Sequence, residues 1–141
     1  MSMRREHFFS HKQWPVICIE RKQGKIINIA SVAGLKGSEE GAMDTVAYNA
    51  SKGAVISFTR DLGVKLAKYN IQVNAIAPGW FPTKMSKGLL DKFGEQFKER
   101  NPSKRFGTDE DLKGLAVFLA SKASDYVVGQ TIAVDGGQTA S

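Results

Sequence analysis

The sequence predicts an α/β protein built on a parallel sheet, and two observations lead to that fold class. Short β-branched runs that are apolar at nearly every position alternate with longer segments whose apolar residues recur at spacings of three and four. Runs of the first kind are typical of strands covered on both faces, and segments of the second kind are typical of amphipathic helices. Their regular alternation favours parallel strands joined by right-handed crossovers.

Strands and helices follow one another from Gly24 onward. We predict strands over residues 26–30, 71–77 and 130–134, and helices over residues 45–69, 86–100 and 109–120. Residues 34–44 carry three glycines and are predicted to form a loop. The segment 80–107 is polar and contains two prolines, so we expect it to hold only one amphipathic helix.

Local signals set the ends of these elements. Asn70 is a helix stop, and Pro78-Gly79 ends the second strand. Thr108 is predicted to cap the last helix, because a threonine hydroxyl accepts hydrogen bonds from first-turn N–H groups. Three acidic residues follow it at the positive end of the helix dipole.

The segment before Gly24 is open to two interpretations. Pro15 near a helix start, Arg21 in the last turn and Gly24 just past the end favour a short helix near residues 15–23. The apolar residues between Pro15 and Arg21 could instead form a strand that pairs with the next one as a hairpin. Residues 1–13 receive no assignment.

Composition limits the class of protein. The 141 residues are 42% hydrophobic and 24% charged, which is typical of a soluble globular domain. No apolar run approaches the roughly 20 residues that a membrane span needs, and the first residues lack the apolar stretch of a secretory signal. The single cysteine, Cys18, excludes an intrachain disulfide and is compatible with a reducing compartment, so we predict a cytoplasmic protein with no membrane partner.

The formal charge of +6 is unevenly placed. Residues 1–25 carry a net charge of +4, and the remaining 116 residues carry only +2. The sequence has a basic leader on a nearly neutral remainder, and it lacks aromatic residues spaced for base stacking. This combination is a weak signal for nucleic-acid binding. We therefore expect no nucleic-acid partner. No set of metal ligands with metal-site spacing is found, and no metal is predicted.

Tyr48 and Lys52 carry the first chemical signal. They are four residues apart at the start of a predicted helix, so their side chains share one face. A tyrosine is a poor acid–base catalyst at neutral pH unless its phenolate is stabilised, and a nearby ammonium stabilises it. Ser31 follows the first predicted strand, at the edge of a parallel sheet where ligands bind.

Four motifs around these residues resemble the later motifs of the classical short-chain dehydrogenase/reductase family, in the family's order and at close to its spacing. They are Asn28-Ile29-Ala30-Ser31-Val32-Ala33-Gly34, Tyr48-Asn49-Ala50-Ser51-Lys52, Val73-Asn74-Ala75-Ile76-Ala77-Pro78-Gly79 and Gly129-Gln130-Thr131-Ile132-Ala133-Val134-Asp135-Gly136-Gly137. The resemblance implies the last three strands, with their helices, of a Rossmann-like doubly wound parallel sheet. It covers residues 24–137.

The resemblance also implies roles for individual residues. Tyr48 would exchange a proton with the substrate oxygen, Lys52 would hold the nicotinamide ribose of NAD or NADP, and Ser31 would position the substrate carbonyl or hydroxyl. The loop that holds the nicotinamide carboxamide would contain Pro78, Gly79, Phe81 and Thr83. The spacing of 17 residues between Ser31 and Tyr48 is similar to the spacing in family members that act on sugar acids or on 3-oxoacyl-like substrates.

Other parts of the family pattern do not match. None of the 14 glycines forms a G-x-G-x-x-G or the family's G-x-x-x-G-x-G, and the family's catalytic asparagine would fall near Arg4, where there is none. The sequence therefore predicts a basic leader over residues 1–23 and the carboxyl-terminal half of such a domain over residues 24–141. The amino-terminal dinucleotide-binding half is expected to be missing.

These features lead to two functional hypotheses. The first is an NAD(P)-dependent oxidoreductase that interconverts a carbonyl and a secondary alcohol, present in truncated form and forming a homo-oligomer, dimer or tetramer, in its intact parent. The alternative is a catalytically inactive fragment or interaction module without a dinucleotide site. In either case we expect the strand at residues 26–30 to present an unpaired apolar edge, which favours oligomerisation or poor solubility.

Overall fold

The computed structural model of the chain describes residues 14–38, 45–84 and 86–141. The helices are α1 (Trp14–Arg21), α2 (Val46–Ala67), α3 (Lys87–Arg100) and α4 (Asp109–Ala120), and the strands are β1 (Gly24–Ile29), β2 (Ile71–Pro78) and β3 (Thr131–Val134). Short 3₁₀ turns follow β1 at Val32–Gly34 and α4 at Lys122–Ser124. The predicted strands and helices all form, in the predicted order. Most of the predicted loop, residues 39–44, lies outside the described residues.

The described strands form one parallel sheet with β2 in the centre, which confirms the predicted α/β class. β1 pairs along its whole length with β2, from Gly24 opposite Ile71 to Ile29 opposite Ile76. β3 pairs with the second half of β2. Every residue from 71 to 77 is buried, as expected for a strand flanked by two others and covered on both faces.

Helices cover both faces of this sheet. Lys25 and Asn28 lie three residues apart on β1, so their side chains project from opposite faces. Asn28 Nδ2 donates to Thr59 Oγ1 of α2 at 2.9 Å. Lys25 Nζ lies 2.7 Å from a carboxylate oxygen of Asp125, just beyond the turn that follows α4. The sheet is therefore doubly wound.

The structure differs from the predicted boundaries by one or two residues. The segment before β1 is the helix α1 and not a hairpin strand. β1 begins at Gly24, because its first residues pair with the start of β2. α2 ends at Ala67, because the chain turns into Asn70, whose backbone has a positive φ of 57°. The side chain of Asn70 donates to the carbonyl of Lys22 at 2.9 Å and ties this turn to the end of α1.

None of the described helices is both long and apolar enough to cross a membrane.

Gly63 allows α2 to approach the sheet closely. A Cβ atom at this position would lie 2.9 Å from the Cα and N of Gly129 and 3.1 Å from the carbonyl oxygen of Val73. Gly129 itself has a φ of +69° and donates its N–H to that carbonyl at 2.8 Å. Backbone therefore meets backbone where α2 crosses the start of β3, and only glycine fits there without a shift.

We expect Gly63→Ala to lower the free energy of unfolding by about 1–3 kcal/mol, because the added methyl group forces α2 away from the backbone of Gly129. Gly53→Ala, in the same helix, is the matched control, since a Cβ there meets nothing within 4 Å. The control is expected to be neutral or to stabilise the chain by up to about 1 kcal/mol, the helix propensity gained. Urea unfolding followed by circular dichroism measures both. Equal effects of the two substitutions would contradict the packing argument.

Candidate functional site

Ser31 lies immediately past the carboxyl end of β1. Its backbone is extended, with φ −167° and ψ 155°, and its Oγ accepts a hydrogen bond from the backbone N–H of Ala33 at 3.2 Å. The side chain caps the 3₁₀ turn in this way and is buried, with 9% of the residue exposed. A hydroxyl has one hydrogen to donate, and no acceptor for it is found among the described residues.

Tyr48 and Lys52 face one another across one turn of α2. Lys52 Nζ lies 5.7 Å from the centroid of the Tyr48 ring, in cation–π range. The same Nζ donates to the carbonyl oxygen of Ile29, the last residue of β1, at 3.1 Å. Tyr48 is 47% exposed. The ammonium is therefore fixed between the tyrosine and the strand end that leads to Ser31.

Gly34 brings the loop after β1 against α2. A Cβ on Gly34 would lie 2.7 Å from the carbonyl carbon of Lys52 and 2.8 Å from the nitrogen of Gly53. The 3₁₀ turn that Ser31 caps thus rests directly on the turn of α2 that carries Lys52. The structure therefore places the turn that Ser31 caps against the helix that carries Tyr48 and Lys52.

The end of β2 lies beside this group, since the N–H of Ala30 donates to the carbonyl of Ile76 at 2.8 Å. Pro78 is the last residue of β2, and the N–H of Gly79 donates to Val134 of β3 at 2.9 Å. A Cβ on Gly79 would lie 2.9 Å from both Cα and Cβ of Asp135. The carboxyl ends of all three described strands therefore meet at one edge of the sheet.

Phe81 and Thr83 belong to the same loop but make their described contacts away from Tyr48. The Phe81 ring packs so closely on Gly107 that a Cβ there would lie 2.3 Å from it. Thr83 Oγ1 accepts the N–H of Ser86 at 3.1 Å, and its own N–H donates to Ser86 Oγ at 2.8 Å. These two residues fix the loop to its surroundings, and the described contacts do not link them to Tyr48 or Lys52.

Two residues outside the sequence-based predictions, Asn101 and Asp135, join the end of α3 to the residue that follows β3. Asn101 is buried at the end of α3, and its Nδ2 donates to the carbonyl of Asp135 at 2.8 Å. Burial alone would raise the pKa of Asp135, but hydrogen bonds from Thr139 Oγ1 and the backbone N–H groups of residues 137–139 hold the pKa below its usual range. Asp135 lies within the last of the four motifs given above, so the sequence could have identified it as a candidate. Its hydrogen-bond partners could not be predicted in this way.

A second unpredicted pair lies between α3 and α4. Arg105 and Asp111 form a bidentate ion pair with N–O distances of 2.7 and 2.8 Å. Asp111 also accepts the N–H and the hydroxyl of Thr108, which completes a capping box at the start of α4. The guanidinium and these two donors hold the pKa of Asp111 well below its usual range. Thr108 followed three residues later by an acidic residue is the sequence signal that could have identified the box.

An aromatic contact joins α3 to the loop after β2. The Trp80 ring stacks on Phe97 at a centroid distance of 4.2 Å and an interplanar angle of 6°. Trp80 also lines a small cavity of about 60 Å³ with Asn101, Arg105 and Asp135. Ser31, Tyr48 and Lys52 do not line it. A cavity of this size suits a water molecule or two, and it lies apart from the candidate catalytic group.

The described residues fit one end of a nicotinamide dinucleotide. An ammonium has three hydrogens to donate, and the contact with Ile29 uses one, so Lys52 retains donors for the two hydroxyls of a ribose. The exposed phenol of Tyr48 lies beside it. For the pyrophosphate the chain offers no glycine-rich turn of the kind that opens a nucleotide-binding helix. The spare donors of Lys52 are therefore compatible with the nicotinamide ribose.

Several known proteins are similar to this chain. A family model described as enoyl-(acyl carrier protein) reductase matches residues 7–139. The chain is 50% identical over 121 residues to 5-keto-D-gluconate 5-reductase of Escherichia coli, covering 84% of this chain and 46% of that protein. It is 40% identical over 119 residues to the 3-oxoacyl-[acyl-carrier-protein] reductase FabG of Chlamydia muridarum, covering 84% and 46%.

A solved structure is also similar to this chain. The gluconate 5-dehydrogenase of Burkholderia cenocepacia, in complex with NADP and tartrate, superposes with a TM-score of 0.82 at 43% identity. The match covers 90% of this chain and 49% of that one. The chain thus spans about half the length of the relatives it matches.

The pKa of Asp135 leads to a prediction about acid stability. Because the pKa is lower in the folded chain than in the unfolded one, where it lies near 3.9, the stabilisation is complete above about pH 5 and is lost as the pH falls through the folded value. Urea unfolding midpoints measured from pH 7 to pH 3 are expected to fall, and Asp135→Asn is expected to flatten that fall while lowering the midpoint at pH 7.

The matched control is Asp91→Asn, at an exposed acidic residue of α3 that makes no described hydrogen bond. It should leave the pH dependence as it is in the unaltered chain. An Asp135→Asn chain whose midpoint falls with pH as steeply as the control would show that this carboxylate does not stabilise the fold.

Proposed function

Because this chain belongs to the short-chain dehydrogenase/reductase family, we propose that it carries the proton-transfer side of an NAD(P)-dependent oxidoreductase site that interconverts a ketone and a secondary alcohol. The supporting observation is the placement of the Lys52 ammonium, which is held at 3.1 Å by the carbonyl of Ile29 and lies 5.7 Å from the Tyr48 ring. A fixed cation beside an exposed phenol is the arrangement that proton exchange by tyrosine requires.

In the proposed reaction Tyr48 donates a proton to the oxygen of the ketone during reduction and takes it back during oxidation. The charge left on the phenolate is stabilised by the ammonium of Lys52, which is close enough for a favourable interaction and is kept from rotating away by Ile29. The bound nicotinamide supplies or accepts the hydride at the carbon of that same group. The chain's own contribution is thus positioning and proton transfer.

Ser31 is proposed to orient the substrate oxygen. Its Oγ already accepts from Ala33, so the hydroxyl hydrogen points away from that N–H and is available to the substrate. Pro78, Gly79, Phe81 and Thr83 are proposed as the loop against which the nicotinamide carboxamide binds. The hydrogen bonds between Thr83 and Ser86 would keep that loop in one conformation.

For the substrate we propose a keto sugar acid rather than a 3-oxoacyl thioester. The supporting comparison is the higher identity to the E. coli 5-keto-D-gluconate reductase, 50% against 40% for the FabG relative. The Burkholderia relative was solved with tartrate, a hydroxy acid, and with NADP. NADPH and 5-keto-D-gluconate are therefore the reagents for the tests below.

We also propose that the 141-residue chain alone is inactive, which is the alternative interpretation of the sequence. The supporting observation is that the sequence contains no glycine-rich turn of the kind that binds the pyrophosphate. We propose that the intact activity belongs to a cytoplasmic homo-oligomer. The free thiol of Cys18 agrees with a reducing compartment.

Titration of the 141-residue chain with NADPH tests the inactivity. We expect no saturable change in nicotinamide fluorescence up to millimolar concentrations, because the sequence has no glycine-rich turn to bind the phosphates. Reduction of 5-keto-D-gluconate by the same preparation is expected to stay at background. Tight binding of NADPH, or measurable turnover, would contradict the proposal that the chain is inactive by itself.

A chimera tests the catalytic roles. The part of the E. coli relative that this chain does not match is joined ahead of Gly24, and reduction of 5-keto-D-gluconate is followed by oxidation of NADPH. Tyr48→Phe is expected to lower kcat by a factor of about 10² or more, the typical contribution of a positioned acid. Lys52→Met is expected to lower it as well, because the phenolate loses its cation.

Tyr69→Phe in the same chimera is the matched control. Tyr69 also has an ammonium over its ring, that of Lys68 at 5.1 Å, but it lies at the far end of α2. Activity should be unchanged by this substitution. A chimera that reduces the ketone equally well with Phe at position 48, or that shows no activity with the unaltered residues, would refute the assignment.

A further inference from the structure

The loop after β2 is held in place by Gly107. The N–H of Gly107 donates to the carbonyl of Trp80 at 2.9 Å. The ring of Phe81 packs against the same residue, where a Cβ would lie 2.3 Å from it. Gly107 therefore fixes both the backbone and a side chain of this loop, which is the loop proposed to bind the nicotinamide carboxamide.

Gly107 belongs to a segment without regular secondary structure. Residues 106–108 lie between α3 and α4, outside any helix or strand. A cavity of about 60 Å³ lies beside this segment and is lined by Trp80, Phe81 and Gly107 together. Close packing therefore does not enclose the contact on every side, and the position of Gly107 depends on the hydrogen bonds of its neighbours.

Those hydrogen bonds converge on the carboxylate of Asp111, in the first turn of α4. Arg105, which precedes Gly107, donates from both terminal nitrogens to Asp111 at 2.7 and 2.8 Å. Thr108, which follows Gly107, donates its N–H at 2.8 Å and its hydroxyl at 3.0 Å. The same guanidinium also donates to the carbonyl of Phe106 at 3.0 Å. One carboxylate thus holds the chain on both sides of Gly107.

The geometry of this ion pair suits it to a local role. The side chains of Arg105 and Asp111 are 57% and 28% exposed, and isolated ion pairs with such exposure add little to the stability of a whole fold. A bidentate pair differs, because two parallel hydrogen bonds fix the relative orientation of the two groups. We therefore expect its effect on the segment that it closes, and not on the sheet.

We propose that Arg105 and Asp111 are positioning residues. Their ion pair holds Gly107 against the loop after β2 and thereby keeps that loop in the conformation that binds the nicotinamide carboxamide. The role in cofactor binding rests on the proposed function, which assigns the carboxamide to this loop. A loop that is not held occupies its binding conformation for only a fraction of the time, and the apparent affinity for the cofactor falls by that fraction.

Hydrogen exchange of the Gly107 amide in the 141-residue chain tests the first step, and it requires neither cofactor nor activity. An amide hydrogen exchanges with solvent when its hydrogen bond opens, so the rate measured by NMR reports how often the contact with Trp80 is lost. Asp111→Asn breaks the ion pair but leaves an amide oxygen that can still accept from Thr108. We expect the Gly107 amide to exchange about 10-fold faster or more in this variant, the typical effect of losing a hydrogen bond to a charged group.

Two references show whether the effect is local. The amide of Gly79 donates to Val134 at 2.9 Å between the ends of β2 and β3, and it should exchange at an unchanged rate in Asp111→Asn. Asp109→Asn is the matched control. It removes the same charge from the first turn of α4, at a side chain with no described hydrogen bond, and should leave the Gly107 amide protected. Circular dichroism verifies that both variants fold.

The second step is measured in the chimera that carries the unmatched part of the E. coli relative. With Asp111→Asn, the KM for NADPH is expected to rise about 2- to 10-fold while kcat at saturating NADPH is unchanged. A general loss of folded protein would instead lower kcat and leave the KM as it is. Arg105→Lys keeps the charge but loses the planar pair of donors, so we expect an intermediate KM.

Several results would overturn the proposal. In the 141-residue chain they are a Gly107 exchange rate that Asp111→Asn does not change, one that Asp109→Asn raises equally, and one that rises together with the rate of Gly79. In the chimera it is an Asp111→Asn variant whose kcat falls at an unchanged KM for NADPH. A chimera without activity in its unaltered form contradicts the proposed function instead, and the exchange rates still decide whether the ion pair holds the loop.

Discussion

The burial of β2 from Ile71 to Ala77 is the constraint on which the rest of the structure depends. A strand with no exposed residue between positions 71 and 77 must satisfy every polar group inside the protein. Asn74 shows how this is done: its Nδ2 donates to the carbonyl of Val127 at 2.8 Å, and its Oδ1 accepts the N–H of Gln130 at 2.9 Å. The side chain of Asn74 thus takes the place of backbone hydrogen bonds between strands just before β3 begins. It also sets the point at which β3 joins the sheet.

Close contacts between backbone segments set the spacing of the elements that form the candidate site. Gly34, Gly63 and Gly79 lie on different elements, and at each a Cβ would come within 3 Å of another segment's backbone. The first contact sets the Ser31 loop on α2, the second sets α2 on the start of β3, and the third joins the ends of β2 and β3. Because protein interiors tolerate little change in spacing, these contacts fix the distance between Ser31 and the Tyr48 turn far more tightly than the flexible side chains do.

The order of strands and helices could be predicted because the spacing of apolar residues along the sequence changes clearly from one element to the next. The positions of Ser31, Tyr48 and Lys52 followed too, since parallel strands end at one edge and residues four apart share a helix face. The contact of Phe81 with Gly107 and those of Thr83 with Ser86 could not be predicted, because they depend on the three-dimensional path of the loop. Nor did the link from Asn101 to Asp135, which joins residues 34 apart and has no local signature.

The stack of Trp80 on Phe97 has an optical consequence. Trp80 belongs to the loop after β2, and Phe97 belongs to α3, so their contact joins this loop to the helix. An indole pressed flat against another ring has an emission that depends on that contact. The chain has only two tryptophans, so separation of α3 from the sheet changes a large share of its intrinsic fluorescence. The position of this helix can therefore be followed in solution without any added label.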